Sequence, residues 1–127
     1  MQLTVAARRH LDSSDALRAA LWAAAAGVAM ARPGIRASDV ARAVMAAVER
    51  EGLPSLGFGR LGHGIGLTAT EPPSIVVGDD TILEAGMAIT VEPAAVFDDG
   101  LYCAEQVVIV GEEPRVLSLA PGELGTV

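Results

Sequence analysis

"MAITVEPAAVFDDGLYCAEQVVIV" runs from Met87 to Val110, and its reading decides the fold. Ile89 and Val91 alternate with their neighbours as in a strand, and Pro93 stops the strand because it has no N–H to donate. Beyond it, "AAVF" and "LYCAEQVVIV" flank Asp98-Asp99-Gly100, a strong hairpin signal, so two further strands joined by a turn are expected. "RVLSL" (115–119) reads as one more strand.

Working back from this stretch, the Gly-, Pro- and β-branched-rich character begins near Leu53. The residues before it are helical in pattern. "LDSSDAL" offers the N-cap candidates Asp12, Ser13 and Ser14. Leu17, Leu21, Ala24 and Val28 then recur at helical spacing, and Arg32-Pro33-Gly34 ends that helix. Ser38 is expected to cap a second helix, with Asp39 in the first turn where a negative charge suits the helix dipole. Val40, Val44, Ala47 and Val48 form its buried stripe and Gly52 ends it. Met1–Ala7 reads as a short strand or its tail. Two helices followed by a β-rich half make an α+β domain, taken as one unit over residues 1–127.

The chain has 51% apolar residues and 3% aromatics, so a core must be built from Ala, Val, Leu and Ile. Its formal net charge of −7 argues against nucleic acid and anionic membrane as partners, since phosphates attract Lys and Arg. Cys103 is the single cysteine; it reads as a free structural thiol and fits a reducing compartment. Ala19–Ala31 is uncharged but too short to span a bilayer as a helix. Ala29-Met30-Ala31 looks like a signal-peptidase site, but Asp12 and Asp15 precede it, so a cytoplasmic protein is expected.

The chemistry concentrates between Gly59 and Ile75, "GRLGHGIGLTATEPPSI". Gly57-Phe58-Gly59-Arg60-Leu61-Gly62 spells G-x-G-x-x-G, but no strand precedes it and no helix can open at it, so a dinucleotide site is rejected. His63 stands among Gly62, Gly64 and Gly66, which let another backbone approach closely. A plain strand crossing with an incidental histidine reads the same stretch. Glu92 should point opposite to Ile89 and Val91. Glu105 sits inside an apolar run, where a carboxylate costs free energy unless it is paired or binds a cation. Each glutamate alone could be a solvent-facing strand residue. One imidazole and two carboxylates together suit a divalent transition metal better than calcium or a thiolate zinc site.

These motifs resemble a known family. "GHGIGL" (Gly62–Leu67), "TEPPSI" (Thr70–Ile75), "LEAGMAITVEP" (Leu83–Pro93) and "CAEQVVIV" (Cys103–Val110) look like the C-terminal half of the pita-bread metallopeptidases. That group includes methionine aminopeptidase, Xaa-Pro aminopeptidase, prolidase and the metal-free creatinase. "ARPGIRASDVARAV" (Ala31–Val44) and "LAPGEL" (Leu119–Leu124) also match, so the resemblance runs from about Thr4 to Leu124. It implies two helices on a curved, mostly antiparallel sheet with a dinuclear site in the hollow. It implies His63, Glu92 and Glu105 as metal ligands, Glu105 bridging, for manganese, cobalt, zinc or iron. It places Gly64, Glu71 and Pro72 beside a peptide or small amide substrate, and a homodimer is compatible with it. The implied reaction is attack by a metal-bound hydroxide on an N-terminal peptide bond or related amide.

The chain departs from the pattern in three places. Two further aspartate ligands of the family lie upstream of the residues matching "LTVAA" and have no counterpart here. Asp12 and Asp15, at a helix start, do not replace them. Three ligands hold one metal weakly, so the chain alone is expected to be inactive or weak. Thr70 stands where the family has a catalytic histidine. It can contact substrate but cannot shuttle a proton near neutral pH, and it resembles branches that hydrolyse small cyclic amides, such as ectoine hydrolase. Gln106 replaces the usual aspartate beside the last ligand. A peptide-binding module without catalysis, or metal-free creatinase-like chemistry, are the competing expectations. His10 is expected at the surface, and Trp22 and Tyr102 to pack or to line the hollow.

Overall fold

A computed structural model describes residues 13–53, 60–97 and 100–118. The expected strand at Met1–Ala7, the Asp12 cap, His10, the Asp98-Asp99 turn residues and Leu119–Leu124 lie outside the described residues. The element order is α1 (Ser13–Ala29), α2 (Ala37–Arg50), β1 (His63–Ile65), β2 (Glu71–Ser74), β3 (Ala88–Val91), β4 (Ala94–Phe97), β5 (Gly100–Cys103), β6 (Gln106–Ile109) and β7 (Arg115–Val116). One five-stranded sheet has the order β2-β1-β3-β6-β7; β4 and β5 form a separate hairpin. Every described strand pairing is antiparallel. The expected α+β arrangement, two helices with an antiparallel sheet, is observed.

The buried face of α1 differs from the stripe read in the sequence. Ala20, Ala23 and Ala24 are fully buried, whereas Leu21 and Val28 are only partly covered and Trp22 is 68% exposed. The reason is spacing. A Cβ on Gly27 would meet Val44 Cγ2 at 2.5 Å and Val91 Cγ1 at 2.7 Å, so α1 lies tight against both α2 and β3. A face of alanine and glycine allows that approach; leucines on it would push the layers apart. The larger side chains flank the contact instead.

Helix α2 follows its expected stripe: Val40, Val44, Ala47 and Val48 are all buried. Burying a Val or Ile side chain fully contributes roughly 1.5–3 kcal/mol, so this stripe is a main reason the helix forms. Its cap is not the expected one. Arg36 occupies the N-cap position without a side-chain bond. The free N–H groups of Ala37 and Ser38 donate to the carbonyls of Thr81 and Asp79, and the Ser38 hydroxyl accepts the Gly78 N–H. Backbone from the 78–81 turn thus does what a capping side chain would do. At the other end Leu53 N–H donates to Val48 O and Gly52 N–H to Glu49 O, with Gly52 at φ +70°, a Schellman motif.

One stretch of the β half differs from its expected form. "LYCAEQVVIV" is two strands, not one. β5 ends at Cys103 and β6 starts at Gln106, so Glu105 lies in the break between them and not inside a strand. The physical cause is opposite: Pro93 offers no N–H, and the chain leaves the main sheet for the β4–β5 hairpin there. Pro72 and Pro73 lie in β2 at the sheet edge, where a missing donor costs no ladder bond. Met87 packs against the core from the β half and Met30 from the end of α1, whereas Met45 on α2 is exposed.

Candidate metal centre

The site forms where the main sheet gives way to the hairpin. Val91 pairs with Gln106 in the β3–β6 ladder, and Ala94 pairs with Cys103 in the β4–β5 ladder. Two residues separate these pairs on each side, and Ala104 N–H donates to Pro93 O at 3.1 Å. The shared register therefore sets Glu92 opposite Glu105. Directly opposed residues face the same side of a ladder with their Cβ atoms only about 4.5–5.5 Å apart. Two carboxylates placed so repel each other.

His63 completes the corner. Its Nε2 lies 3.7 Å from Glu92 Oε1, with the two side chains 13% and 25% exposed. The Glu92 N–H donates to the Leu61 carbonyl at 2.7 Å, which ties the glutamate to the segment leading into β1. His63 Nδ1–H donates to the Gly64 carbonyl at 2.9 Å. A carbonyl can only accept, so in the neutral ring the proton is on Nδ1 and Nε2 carries a lone pair toward Glu92.

Glycine makes the crowding possible at both neighbours of His63. A Cβ on Gly62 would overlap the Thr90 carbonyl, and one on Gly64 would overlap the Pro72 carbonyl. The first shows β3 and the second shows β2 packed directly on the β1 backbone. That is the close approach expected from the sequence.

Burial holds the Glu92 carboxyl above its ordinary value; the charge of Glu105 and a hydrogen bond shared with it act in the same direction. His63 and Arg60 oppose the rise. Cys103 is exposed as a residue, yet the protein around its sulfur, and then Glu92 and Glu105, raise its thiol pKa as well. Two opposed carboxylates are a natural seat for a cation, and imidazole plus carboxylates is a donor set for a divalent transition metal. The chemistry of the donors fits. Among the described residues, however, no group of three or more His, Cys, Asp or Glu side chains is arranged closely enough to hold an ion. His63 and Glu92 are brought together, and Glu92 with Glu105, without forming a closed cage.

The remaining expected site residues lie along the β1–β2 connection. Thr70 is exposed. The Thr68 hydroxyl donates to the Thr70 carbonyl at 2.8 Å, and Thr68 N–H donates to Glu71 Oε2 at 3.4 Å. The Glu71 carboxylate lies against Gly66, where a Cβ would overlap it. Glu71 therefore holds its own loop. Gly64 is buried and Pro72 is exposed on the edge strand. Gln106 accepts a hydrogen bond from the Ser118 hydroxyl.

Thr90 and Arg60 are part of the neighbourhood and were not singled out in the sequence. Thr90 could have been: alternation in "AITVEP" sets Thr90 and Glu92 on the face opposite Ile89 and Val91. Trp22, with Arg18, Leu21 and Gln106, lines an open cleft of about 300 Å³. No described helix is long and apolar enough to cross a membrane.

The profile of metallopeptidase family M24 matches residues 2–117. A probable dipeptidase PepE of Mycobacterium tuberculosis is 41% identical over 96 residues, covering 73% of this chain and 25% of the relative. A Xaa-Pro dipeptidase of Lactobacillus helveticus is 40% identical over 68 residues, covering 54% of this chain and 18% of the relative. The crystal structure of dipeptidase PepE from Mycobacterium ulcerans superposes with a TM-score of 0.78 at 34% identity, covering 87% of this chain and 30% of that one. The chain thus spans about a quarter of the length of the curated relatives it matches.

Proposed function

Because the chain belongs to metallopeptidase family M24, we propose that His63, Glu92 and Glu105 are metal ligands of a hydrolase acting on dipeptides, Xaa-Pro dipeptides among them. The observation that carries this reading is the register that opposes Glu92 to Glu105 beside the His63 lone pair. A bound divalent ion, manganese in the first instance, would polarise the substrate carbonyl and lower the pKa of water. The chain's own residues do the rest. Nδ1–H on the Gly64 carbonyl keeps Nε2 free as a donor. The two glutamates supply negative charge to the cation. Glu71 orders the loop that presents Thr70, and Thr70 offers a hydroxyl for substrate contact. Thr70 cannot take the proton that a histidine would take there, so the leaving amine needs another donor. A cytoplasmic site of action goes with this reading, since a free, exposed Cys103 suits a reducing compartment.

Three donors hold an ion weakly, so this chain alone is expected to turn over little substrate. The test is a calorimetric titration with Mn(II) alongside an Xaa-Pro hydrolysis assay. The wild type should bind manganese weakly, and both His63→Ala and Glu92→Ala should abolish binding. Unchanged binding in His63→Ala would remove it from the ligand set and favour metal-free chemistry. Robust turnover by this chain, lost in Glu92→Ala, would overturn the expectation of weak activity. Thr70 also favours a second reading, in which the hollow binds a peptide, or hydrolyses a small cyclic amide. Tight peptide binding without metal would support the binding module.

A further inference from the structure

Thr90 is a polar side chain in a place built for an apolar one. It is fully buried, as are Ile89 and Val91 on either side. A buried hydroxyl costs free energy unless it is bonded, and valine has the same shape without that cost. Among the described residues the other buried polar side chain is Ser38, whose hydroxyl serves Gly78. The Thr90 hydroxyl accepts the backbone N–H of His63 at 3.0 Å.

The geometry gives this bond a purpose. β1 pairs with β3 through Gly64 and Ile89, and through Ile65 and Ala88, so the next position sets His63 opposite Thr90. There the His63 N–H goes to a side chain. One residue earlier, Gly62 lies so close to the Thr90 carbonyl that no Cβ fits. On the β2 side the register shifts between His63 and Gly64, so the ladder there is irregular at the histidine. Thr90 therefore grips β1 at two successive residues, where β2 holds it least regularly. From this anchored backbone the Nδ1–H bond to Gly64 turns the ring, and Nε2 comes within 3.7 Å of Glu92.

We propose that Thr90 is a positioning residue for His63: its hydroxyl holds the histidine backbone at the β1–β3 crossing and so aims Nε2 at the Glu92–Glu105 corner. The value of that aim as metal ligation rests on the function proposed above. Residues that orient a ligand typically account for about 10–100-fold in metal affinity. Thr90→Val keeps the shape and removes the acceptor; Thr90→Ser keeps the acceptor.

The experiment combines amide hydrogen exchange and imidazole nitrogen shifts by NMR with a Co(II) titration, on the wild-type chain and both variants. In Thr90→Val the His63 amide should exchange about tenfold faster, the expected loss of one hydrogen bond, while the β3–β6 ladder keeps its rates. Co(II) affinity should fall by about 10–100-fold, and Thr90→Ser should restore both. Equal His63 exchange and equal affinity in all three proteins would overturn the proposal. If the wild type binds no Co(II), the metal reading fails. His63 exchange and the Nδ1-protonated tautomer then decide the positioning role alone: their loss in Thr90→Val supports it and their persistence refutes it. If Thr90→Val does not fold, a protected His63 amide in both the wild type and Thr90→Ser supports the role, and an unprotected one in the wild type refutes it.

Discussion

Gly27 and Gly62 solve the same problem in two regions with opposite consequences. At Gly27 the absent side chain lets α1 settle on α2 and β3, and the atoms that fill the gap are valine methyls. At Gly62 the atoms that fill it are the backbone of Thr90. The first contact buries apolar surface. The second sets a histidine against two opposed glutamates. Core residues tolerate small shifts because methyl groups can rotate away, whereas a carbonyl held in a sheet cannot yield without breaking the ladder.

That difference predicts the largest effect. Gly62→Ala should destabilise the chain by at least about 3 kcal/mol, the upper end of ordinary overpacking. Gly27→Ala should cost less, because alanine regains about 1 kcal/mol of helix propensity and the valines can move. Urea unfolding of the two variants checks this. Equal losses would mean that the β1–β3 crossing is as adaptable as the helical layer.

The second prediction sharpens the contrast between a corner proposed to bind a metal and a core built for stability. Glu92→Gln removes a like charge opposite Glu105 and should stabilise the metal-free chain by roughly 0.2–1 kcal/mol. The same variant should lose Mn(II) binding. A thermal melt without metal, set beside the manganese titration, tests both signs. A destabilised variant would show that the carboxylate contributes more through its hydrogen bonds than it costs by repulsion.

The smallest effect lies away from the corner, in the turn that serves α2. The Thr81 hydroxyl and N–H, and then the Ser74 N–H, hold Asp79 below the ordinary carboxylate value of 3.8; burial opposes them. A depressed folded value means that the stabilisation is fully present above about pH 4 and is lost as pH falls through the lowered one. Asp79→Asn should therefore melt slightly below the wild type near neutral pH, and the gap should close on acidification. A gap independent of pH would assign the effect to hydrogen-bond geometry and not to charge.

Much of the candidate site is legible in residue types alone. Glycines around a histidine, a glutamate before a proline, and a glutamate beside apolar residues name His63, Glu92 and Glu105 as candidates. Their strand context was less legible. Glu105 reads as mid-strand because Cys103–Val110 is nearly all apolar, and the break at Ala104–Glu105 is caused by Pro93, far away in sequence. The α1 face departs from its periodicity for a related reason. Periodicity favours large residues, but the contact with α2 and β3 is so close that only alanine and glycine fit. Ser38 resembles a cap by residue type, yet the helix already starts at Ala37, and the Ser38 hydroxyl accepts the Gly78 N–H instead.

The sequence by itself determined that two helices precede a β-rich half, the stripe of α2, its glycine stop and the residue types of the candidate site, because these depend on local pattern and on the chemistry of single side chains. Only the tertiary structure decided that Glu92 faces Glu105, that Thr90 holds the His63 backbone, and that alanine forms the inner face of α1. Each of these depends on the distance between segments remote in the chain, and no local periodicity encodes that distance.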